Sequence, residues 1–125
     1  MAQKILVIDD DKNFTEVVRV ALTDKHYEVC TADDGNEGLK QVRAFQPDLI
    51  ILDVIMPRMN GYEFMHALNA RRVIDRQPEI PVIMLTAKEE LREVFKYQGI
   101  KEYLMKPLEY QDMVQKIENY LGAND

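Results

Sequence analysis

Cysteine and histidine are scarce in this chain of 125 residues. The single cysteine, Cys30, excludes an internal disulfide, and no histidine forms a zinc-ligand spacing with it. We therefore expect a reducing, cytoplasmic setting. Long apolar runs are also missing, since no stretch approaches the roughly 20 consecutive apolar residues that cross a bilayer. The N-terminus has no apolar segment of the signal-peptide type, so we expect neither a membrane span nor export.

Basic clusters are absent as well. The chain has 16 basic and 22 acidic residues, a net charge of -6, and no basic run longer than Arg71-Arg72. This charge pattern lacks the footprint of direct nucleic-acid binding, so any DNA contact would need another polypeptide. The hydrophobic residues, 46% of the total, suffice to fill the core of one domain, which we expect to span residues 1–125.

Short β-rich segments alternate with amphipathic segments five times, which predicts an α/β fold with a parallel sheet and helices on both faces. The predicted strands are Lys4–Asp9, Tyr27–Ala32, Asp48–Asp53, Pro81–Thr86 and Ile100–Met105. The first two helices lie between the first three strands. The other three are predicted from Gly61 to about Asp75, from about Glu89 to Tyr97, and from Glu109 to Leu121.

Three aspartates end two of the most apolar segments. Asp53 follows Leu49–Leu52, while Asp9 and Asp10 follow Ile5–Ile8. If both segments are neighbouring parallel strands, these acids meet at the sheet edge where open α/β sheets bind ligands. At ~4 Å and an effective dielectric constant near 20, each close pair of charges costs roughly 4 kcal/mol. The cluster therefore predicts a hard cation with oxygen ligands, and Mg²⁺ is the natural candidate.

Two further polar residues follow the same pattern. Thr86 ends the fourth strand and Lys106 follows the fifth, so a hydroxyl and an ammonium flank the acids. This combination suits phosphoryl transfer, with Asp53 as the nucleophile. Singly, each residue has a simpler interpretation. The aspartates can cap a helix, as we expect of Asp11 alone, Thr86 can be an ordinary strand residue, and Lys106 can be solvated.

Four motifs occur in order over nearly the whole chain. They are Ile5–Asp11, Asp53–Pro57 with Gly61, Thr86-Ala87, and Tyr103–Pro107. Together they resemble the receiver domain of two-component response regulators. The resemblance implies a flavodoxin-like, doubly wound sheet of five parallel strands in the order 2-1-3-4-5, with five helices in a three-layer α/β/α sandwich.

The resemblance also implies roles for the site residues. Asp53 would accept a phosphoryl group from a phosphohistidine on a sensor histidine kinase or phosphotransfer protein. Asp10, Asp53 and the backbone carbonyl of Ile55 would hold Mg²⁺, with Asp9 reaching it through water. Lys106 would pair with the phosphoryl group. The domain would then be no enzyme in the usual sense, because it catalyses only its own phosphorylation and dephosphorylation.

Other residues would transmit or time the signal. Phosphorylation is expected to draw the Thr86 hydroxyl toward the phosphoryl oxygens and let Tyr103 turn inward. Ile55 and Lys88, two positions after Asp53 and Thr86, are expected to shield the acyl phosphate and prolong its lifetime. The peptide before Pro107 is expected to be cis, as is usual in the family.

The chain departs from the family pattern in two places. The segment from Thr86 to Lys106 is short, and the stretch between Gly61 and Pro81 is long. The first includes the predicted fourth helix, part of the family's signalling face, so the partner stays open. We expect a downstream protein target or a separate output domain, a stand-alone receiver or part of a longer regulator, and a monomer or a phosphorylation-dependent dimer.

Other functions compete with this interpretation. A flavodoxin-type electron carrier shares the fold, but three aspartates in its first loop would repel the cofactor phosphate. An aspartate-nucleophile phosphatase usually has a second acid where this chain has Ile55, and a calcium loop would need glycine at Phe14 and glutamate at Val20. A receiver that signals without phosphate is the remaining alternative.

Overall fold

The computed structural model describes residues 2–86 and 99–122. Within them lie the strands β1 (Lys4–Ile8), β2 (Glu28–Ala32), β3 (Leu49–Asp53), β4 (Val82–Thr86) and β5 (Ile100–Met105). The helices of the same ranges are α1 (Lys12–Asp24), α2 (Gly35–Phe45), α3 (Gly61–Asp75) and α4 (Tyr110–Leu121). The described part thus holds four of the five predicted helices, and the predicted helix from about Glu89 to Tyr97 lies outside it.

The five strands form one parallel sheet in the order β2-β1-β3-β4-β5, which confirms the predicted topology. β1 and β3 are neighbours, and their register places Ile8 opposite Leu52. Because parallel strands share their direction, the residues that follow these two positions meet at the same edge of the sheet. The sheet therefore brings two distant acidic segments together.

Alternate side chains of the central strands enter two separate core clusters, as the period of a strand requires. One cluster contains Leu39 from α2 and Phe64 from α3, and the other contains Val18 from α1 and Ile117 from α4. Helices therefore cover both faces of the sheet, in agreement with the predicted three layers. At roughly 25 cal/mol for each Å² of apolar surface removed from water, these clusters are the main stabilising term.

Polar side chains start the first three helices. Asp11, Asp34 and Asn60 occupy the N-cap positions of α1, α2 and α3, and each accepts hydrogen bonds from backbone N–H groups of the first turn. Asn60 also forms a capping box with Glu63, which satisfies further backbone donors. These caps fix where the chain leaves the sheet edge and turns into a helix.

The predicted end of α3 at Asp75 is confirmed, although the last turns carry no apolar stripe. Val73 and Ile74 are 68% and 78% exposed, so this part of the helix does not face the core. α4 corresponds to the fifth predicted helix and begins at Tyr110, one residue after the predicted start at Glu109. Among the described residues, no helix has the length and apolar content needed to cross a bilayer.

Candidate functional site

Three carboxylates meet at the carboxyl edge of the sheet. Asp9 and Asp10 directly follow β1, and Asp53 is the last residue of β3, next to them in the register set by Ile8 and Leu52. One carboxylate oxygen from each aspartate lies within 4.8 Å of the others. Asp9 and Asp53 are 1% and 8% exposed, whereas Asp10 is exposed. The predicted acid cluster is therefore present, with two members buried.

Within the described part of the chain, Lys106 is the cationic side chain that forms ion pairs with these acids. Its Nζ lies 2.6 Å from Asp9 Oδ2 and 3.7 Å from Asp53 Oδ1. The backbone N–H of Lys106 donates to the carbonyl of Thr86 at 2.9 Å, which ties the end of β5 to the end of β4. The alternative of a solvated lysine is thereby excluded, because its ammonium is committed to two buried carboxylates.

The charges of the cluster do not balance, since three carboxylates face one ammonium. Burial, followed by the charge of Asp9, raises the pKa of Asp53 to about 6, although Lys106 opposes the shift. Burial also works against the charge of Lys106, but its hydrogen bond to Asp9 and the nearby carboxylates outweigh this and raise its pKa. The site is consequently short of positive charge.

Asp11 connects the cluster to α1. Its backbone N–H donates to Asp9 Oδ1 at 3.0 Å, and its own carboxylate accepts from the backbone N–H groups of Asn13 and Phe14 at 3.1 Å each. The prediction that Asp11 caps the first helix is confirmed. Phe14 also contacts the site through its ring, whose centroid lies 4.6 Å from Lys106 Nζ. No pattern in the sequence predicts this cation–π contact.

The loop after β3 packs tightly against Asp53. A Cβ on Gly61 would lie 2.7 Å from the Asp53 carbonyl oxygen, so a side chain there would displace the loop. Gly61 instead donates its N–H to the Val54 carbonyl at 2.8 Å. Ile55 is 55% exposed, and its backbone amide is close enough to the Asp53 carboxylate to lower the pKa of that group slightly, against the larger effect of burial. The glycine in the predicted motif is therefore a requirement of close backbone packing.

Thr86 and Tyr103 lie on the last two strands. Thr86 is 2% exposed at the end of β4, opposite Met105, while Tyr103 is half-buried against the core cluster of α2 and α3. The Lys106-Pro107 peptide is cis, as the resemblance implies. Lys88, the second residue expected to set the phosphate lifetime, lies outside the described residues.

The donors of the cluster fit a magnesium ion. All three side chains offer oxygen, which hard divalent cations prefer, and none offers sulfur or imidazole nitrogen. The negative charge of Asp9, Asp10 and Asp53 exceeds the positive charge of Lys106, and this excess favours the binding of a cation. These observations support Mg²⁺ as the metal that the site would hold.

The family of the chain follows from a comparison with protein-family models. The model of the response regulator receiver domain matches residues 5–118, which include all of the described site residues. The chain therefore belongs to the family of response regulator receiver domains. This finding confirms the family that the four sequence motifs resemble.

Two curated relatives illustrate the similarity. The DNA-binding response regulator MtrA of Mycolicibacterium paratuberculosis is 33% identical over 127 residues, covering 100% of this chain and 54% of that protein. The alkaline phosphatase synthesis transcriptional regulatory protein PhoP of Bacillus subtilis is 34% identical, covering 100% of this chain and 51% of that protein. The chain spans about half the length of these relatives.

Solved structures show the same fold. The chemotaxis response regulator CheY4 of Vibrio cholerae matches with a TM-score of 0.85 and 32% identity, covering 96% of this chain and 99% of that one. The response regulator TrrA of Thermotoga maritima, solved in complex with Mg²⁺-BeF, matches with a TM-score of 0.81 and 29% identity over 94% of this chain and 98% of that one. The described architecture is therefore that of known receiver domains.

Proposed function

We propose that Asp53 accepts a phosphoryl group from a phosphohistidine on a sensor histidine kinase or a phosphotransfer protein. The observation that carries this proposal is the position of Asp53, a largely buried carboxylate within an acid cluster, 3.7 Å from the ammonium of Lys106. A buried acid beside two others is costly unless it is paired or binds a cation, and such costly, perturbed acids cluster at functional sites. Phosphoryl transfer is a function that uses this acid.

The residues of the chain divide the chemistry between them. The carboxylate of Asp53 attacks phosphorus in line, the phosphorus–nitrogen bond of the donor breaks, and the leaving imidazole keeps its electron pair. With a pKa of about 6, Asp53 is mostly ionised and able to attack at neutral pH. Lys106 donates to the phosphoryl oxygens and stabilises their charge as transfer proceeds.

The acid cluster has a supporting role. Asp10, Asp53 and the backbone carbonyl of Ile55 would hold Mg²⁺, with Asp9 reaching it through water. When bound, the ion supplies positive charge that neutralises the phosphoryl oxygens. Asp9 also positions the ammonium of Lys106, since the two groups are 2.6 Å apart. In this proposal the domain catalyses its own phosphorylation and dephosphorylation and acts on no other substrate.

Thr86 and Tyr103 are proposed to transmit the change. Thr86 is buried at the carboxyl end of β4, beside the strand that ends in Asp53. Thr86 and Asp53 thus end neighbouring strands at the same edge of the sheet, and we propose that the phosphoryl group recruits the Thr86 hydroxyl as a donor. Tyr103, on the neighbouring strand β5, would then turn inward and reshape the partner-binding face.

Ile55 and Lys88 are proposed to set the lifetime of the acyl phosphate. Ile55 is 55% exposed beside Asp53 and has no side-chain group that could orient an attacking water. The proposal for Lys88 rests on its sequence position alone. Faster loss of the phosphate mass increment in an Ile55→Asn, Lys88→Glu double variant would support this role, and equal or slower loss would contradict it.

The partners of the domain are proposed from its relatives. MtrA is described as DNA-binding, and this chain spans about half of that protein, so a separate output domain or a downstream protein target would carry the response. The receiver itself, with a net charge of -6, is proposed to contact no nucleic acid. We propose a single cytoplasmic domain over residues 1–125, either monomeric or dimeric upon phosphorylation.

Incubation with acetyl phosphate and Mg²⁺, followed by intact-mass spectrometry, tests the proposed function. The parent chain should gain the mass of one phosphoryl group, and Asp53→Asn should gain none. Asp11→Asn is the matched control, because it also removes one carboxylate near the site while asparagine caps α1 equally well. Equal uptake by Asp53→Asn and the parent would refute phosphorylation at Asp53, and no uptake by the parent would favour signalling without phosphate.

A further inference from the structure

A cavity of about 390 Å³ lies between the C-terminal halves of α2 and α3, among residues that the proposed phosphorylation does not use. This volume is within the range of small-molecule sites, roughly 300–1,000 Å³. Its apolar wall is formed by side chains from both helices and from the segment before β4. These residues are Leu39, Val42, Leu68, Pro78 and Ile80.

The rim of the cavity is basic, although the chain as a whole has a net charge of -6. Arg43, Arg71 and Arg72 line it, with Asp75 as the one acid among its lining residues. Arg43 and Arg72 lie in the last turns of α2 and α3, so they also offset the negative helix ends, each equivalent to about half a charge. Three guanidinium groups against one carboxylate and two helix ends leave close to one positive charge.

One lining residue carries a polar atom without a partner. The Nε of Arg72 is buried and forms no hydrogen bond within the described part of the chain. A buried donor without an acceptor destabilises the protein, so a ligand acceptor that drew the Arg72 side chain towards the cavity would relieve this cost. An apolar wall and an unsatisfied guanidinium donor together specify a ligand with an apolar body and an anionic head.

We propose that this cavity binds a small monocarboxylate carried on an aromatic or branched apolar body. A carboxylate matches both the donor geometry of a guanidinium and the residual charge of about one unit. A phosphate monoester, with close to two negative charges, would leave an excess of charge beside Asp75. The site is independent of the proposed phosphorylation, because none of its lining residues belongs to the acid cluster.

NMR titration of the ¹⁵N-labelled chain with 2-naphthoate tests the proposal. We expect saturable shifts confined to residues 39–46 and 68–80. The neutral analogue 2-naphthalenemethanol should bind about tenfold more weakly, since it lacks the charged acceptor. Acetate, which lacks the apolar body, should give no saturation over the same range. No saturable shifts with naphthoate, or equal affinity for the neutral analogue, would overturn the proposal.

Variants locate the charge that matters. Arg72→Met keeps an apolar stem and should weaken naphthoate binding about tenfold. Arg76→Met is the matched control, because Arg76 is an exposed arginine at the end of α3 that does not line the cavity. Should Arg72→Met fail to fold, Arg43→Met removes an exposed cavity charge and should weaken binding about threefold. Equal losses in the cavity variant and Arg76→Met would contradict a specific site.

Discussion

In strands β1 and β3, the residues within the strand and the residue at its carboxyl end are buried to nearly the same extent but differ in charge. Every side chain of Ile5–Ile8 and Leu49–Leu52 is 0% exposed and apolar. The residues that follow, Asp9 and Asp53, are 1% and 8% exposed and acidic. In each strand, an apolar residue whose burial stabilises the fold is therefore followed directly by an aspartate whose burial is unfavourable.

This difference separates stability from function within a single strand. Burial of a leucine or isoleucine contributes roughly 1.5–3 kcal/mol, whereas burial of an uncompensated carboxylate opposes folding. Lys106 offsets part of this cost for Asp9 and less of it for Asp53, which is 3.7 Å away rather than 2.6 Å. The carboxyl edge of the sheet thus carries an excess of negative charge, which a bound cation can neutralise.

The largest effect on the free energy of unfolding is expected from a substitution within a buried strand. Leu52→Ala should lower the free energy of unfolding by about 2–5 kcal/mol, because it leaves a cavity in a fully buried strand. Ile55→Ala, three residues later and 55% exposed, is the control and should cost less than about 1 kcal/mol. Urea unfolding in the presence of Mg²⁺ measures both. Similar losses in the two variants would contradict the importance of the strand body.

A moderate effect is expected from pH at the strand end. The pKa of Asp53 is raised to about 6 from its ordinary value of 3.8. Between about pH 4 and pH 6, Asp53 therefore stays largely protonated in the folded chain, whereas it has lost its proton in the unfolded chain. Stability in metal-free buffer should therefore fall as pH rises from about 4 to 6, by on the order of 1–2 kcal/mol after solvent screening, and level off above.

Asp53→Asn removes the titrating group and should remove this part of the pH dependence. Chemical unfolding at several pH values between 4 and 7, with a chelator present, compares the variant with the parent. Identical slopes in the two proteins would show that other groups are responsible for the dependence.

The smallest effect on stability is expected at Thr86. Thr86→Ala should cost about 1 kcal/mol, as is typical for losing one buried hydroxyl, yet leave phosphorylation intact. NMR shifts around Tyr103 should then no longer respond to phosphorylation. Thr86→Ser keeps the hydroxyl and should keep the response. Equal responses in the alanine variant and the parent would exclude Thr86 as the coupling residue.

The sheet and most of its site could be predicted from the sequence because both depend on local patterns. The apolar runs before Asp9 and Asp53 define buried strands, and the parallel topology then brings their ends together. Asp11 as a cap likewise follows from a rule that involves few residues, whereas the close packing at Gly61 is seen only in the structure. The strand order itself came from the family resemblance.

Contacts between distant side chains could not be predicted. The ring of Phe14 below Lys106 depends on how the start of α1 approaches the end of β5. The ion pair between Arg58 and Asp34 joins the loop after β3 to the start of α2, which are separated by 24 residues. The basic cavity is missed for the same reason, since Arg72 looks like an ordinary solvated residue of a helix without an apolar stripe.

The most direct measurement is the melting temperature of the parent, Asp53→Asn and Asp10→Asn chains, each with a chelator and with Mg²⁺. Without metal, Asp53→Asn should melt about 5 °C or more above the parent, because it removes a repelled carboxylate. Mg²⁺ should raise the parent more than the variant, since the parent keeps the full acid cluster. If Asp53→Asn and Asp10→Asn both melt below the parent in metal-free buffer, the carboxylates at the strand ends do not destabilise the fold.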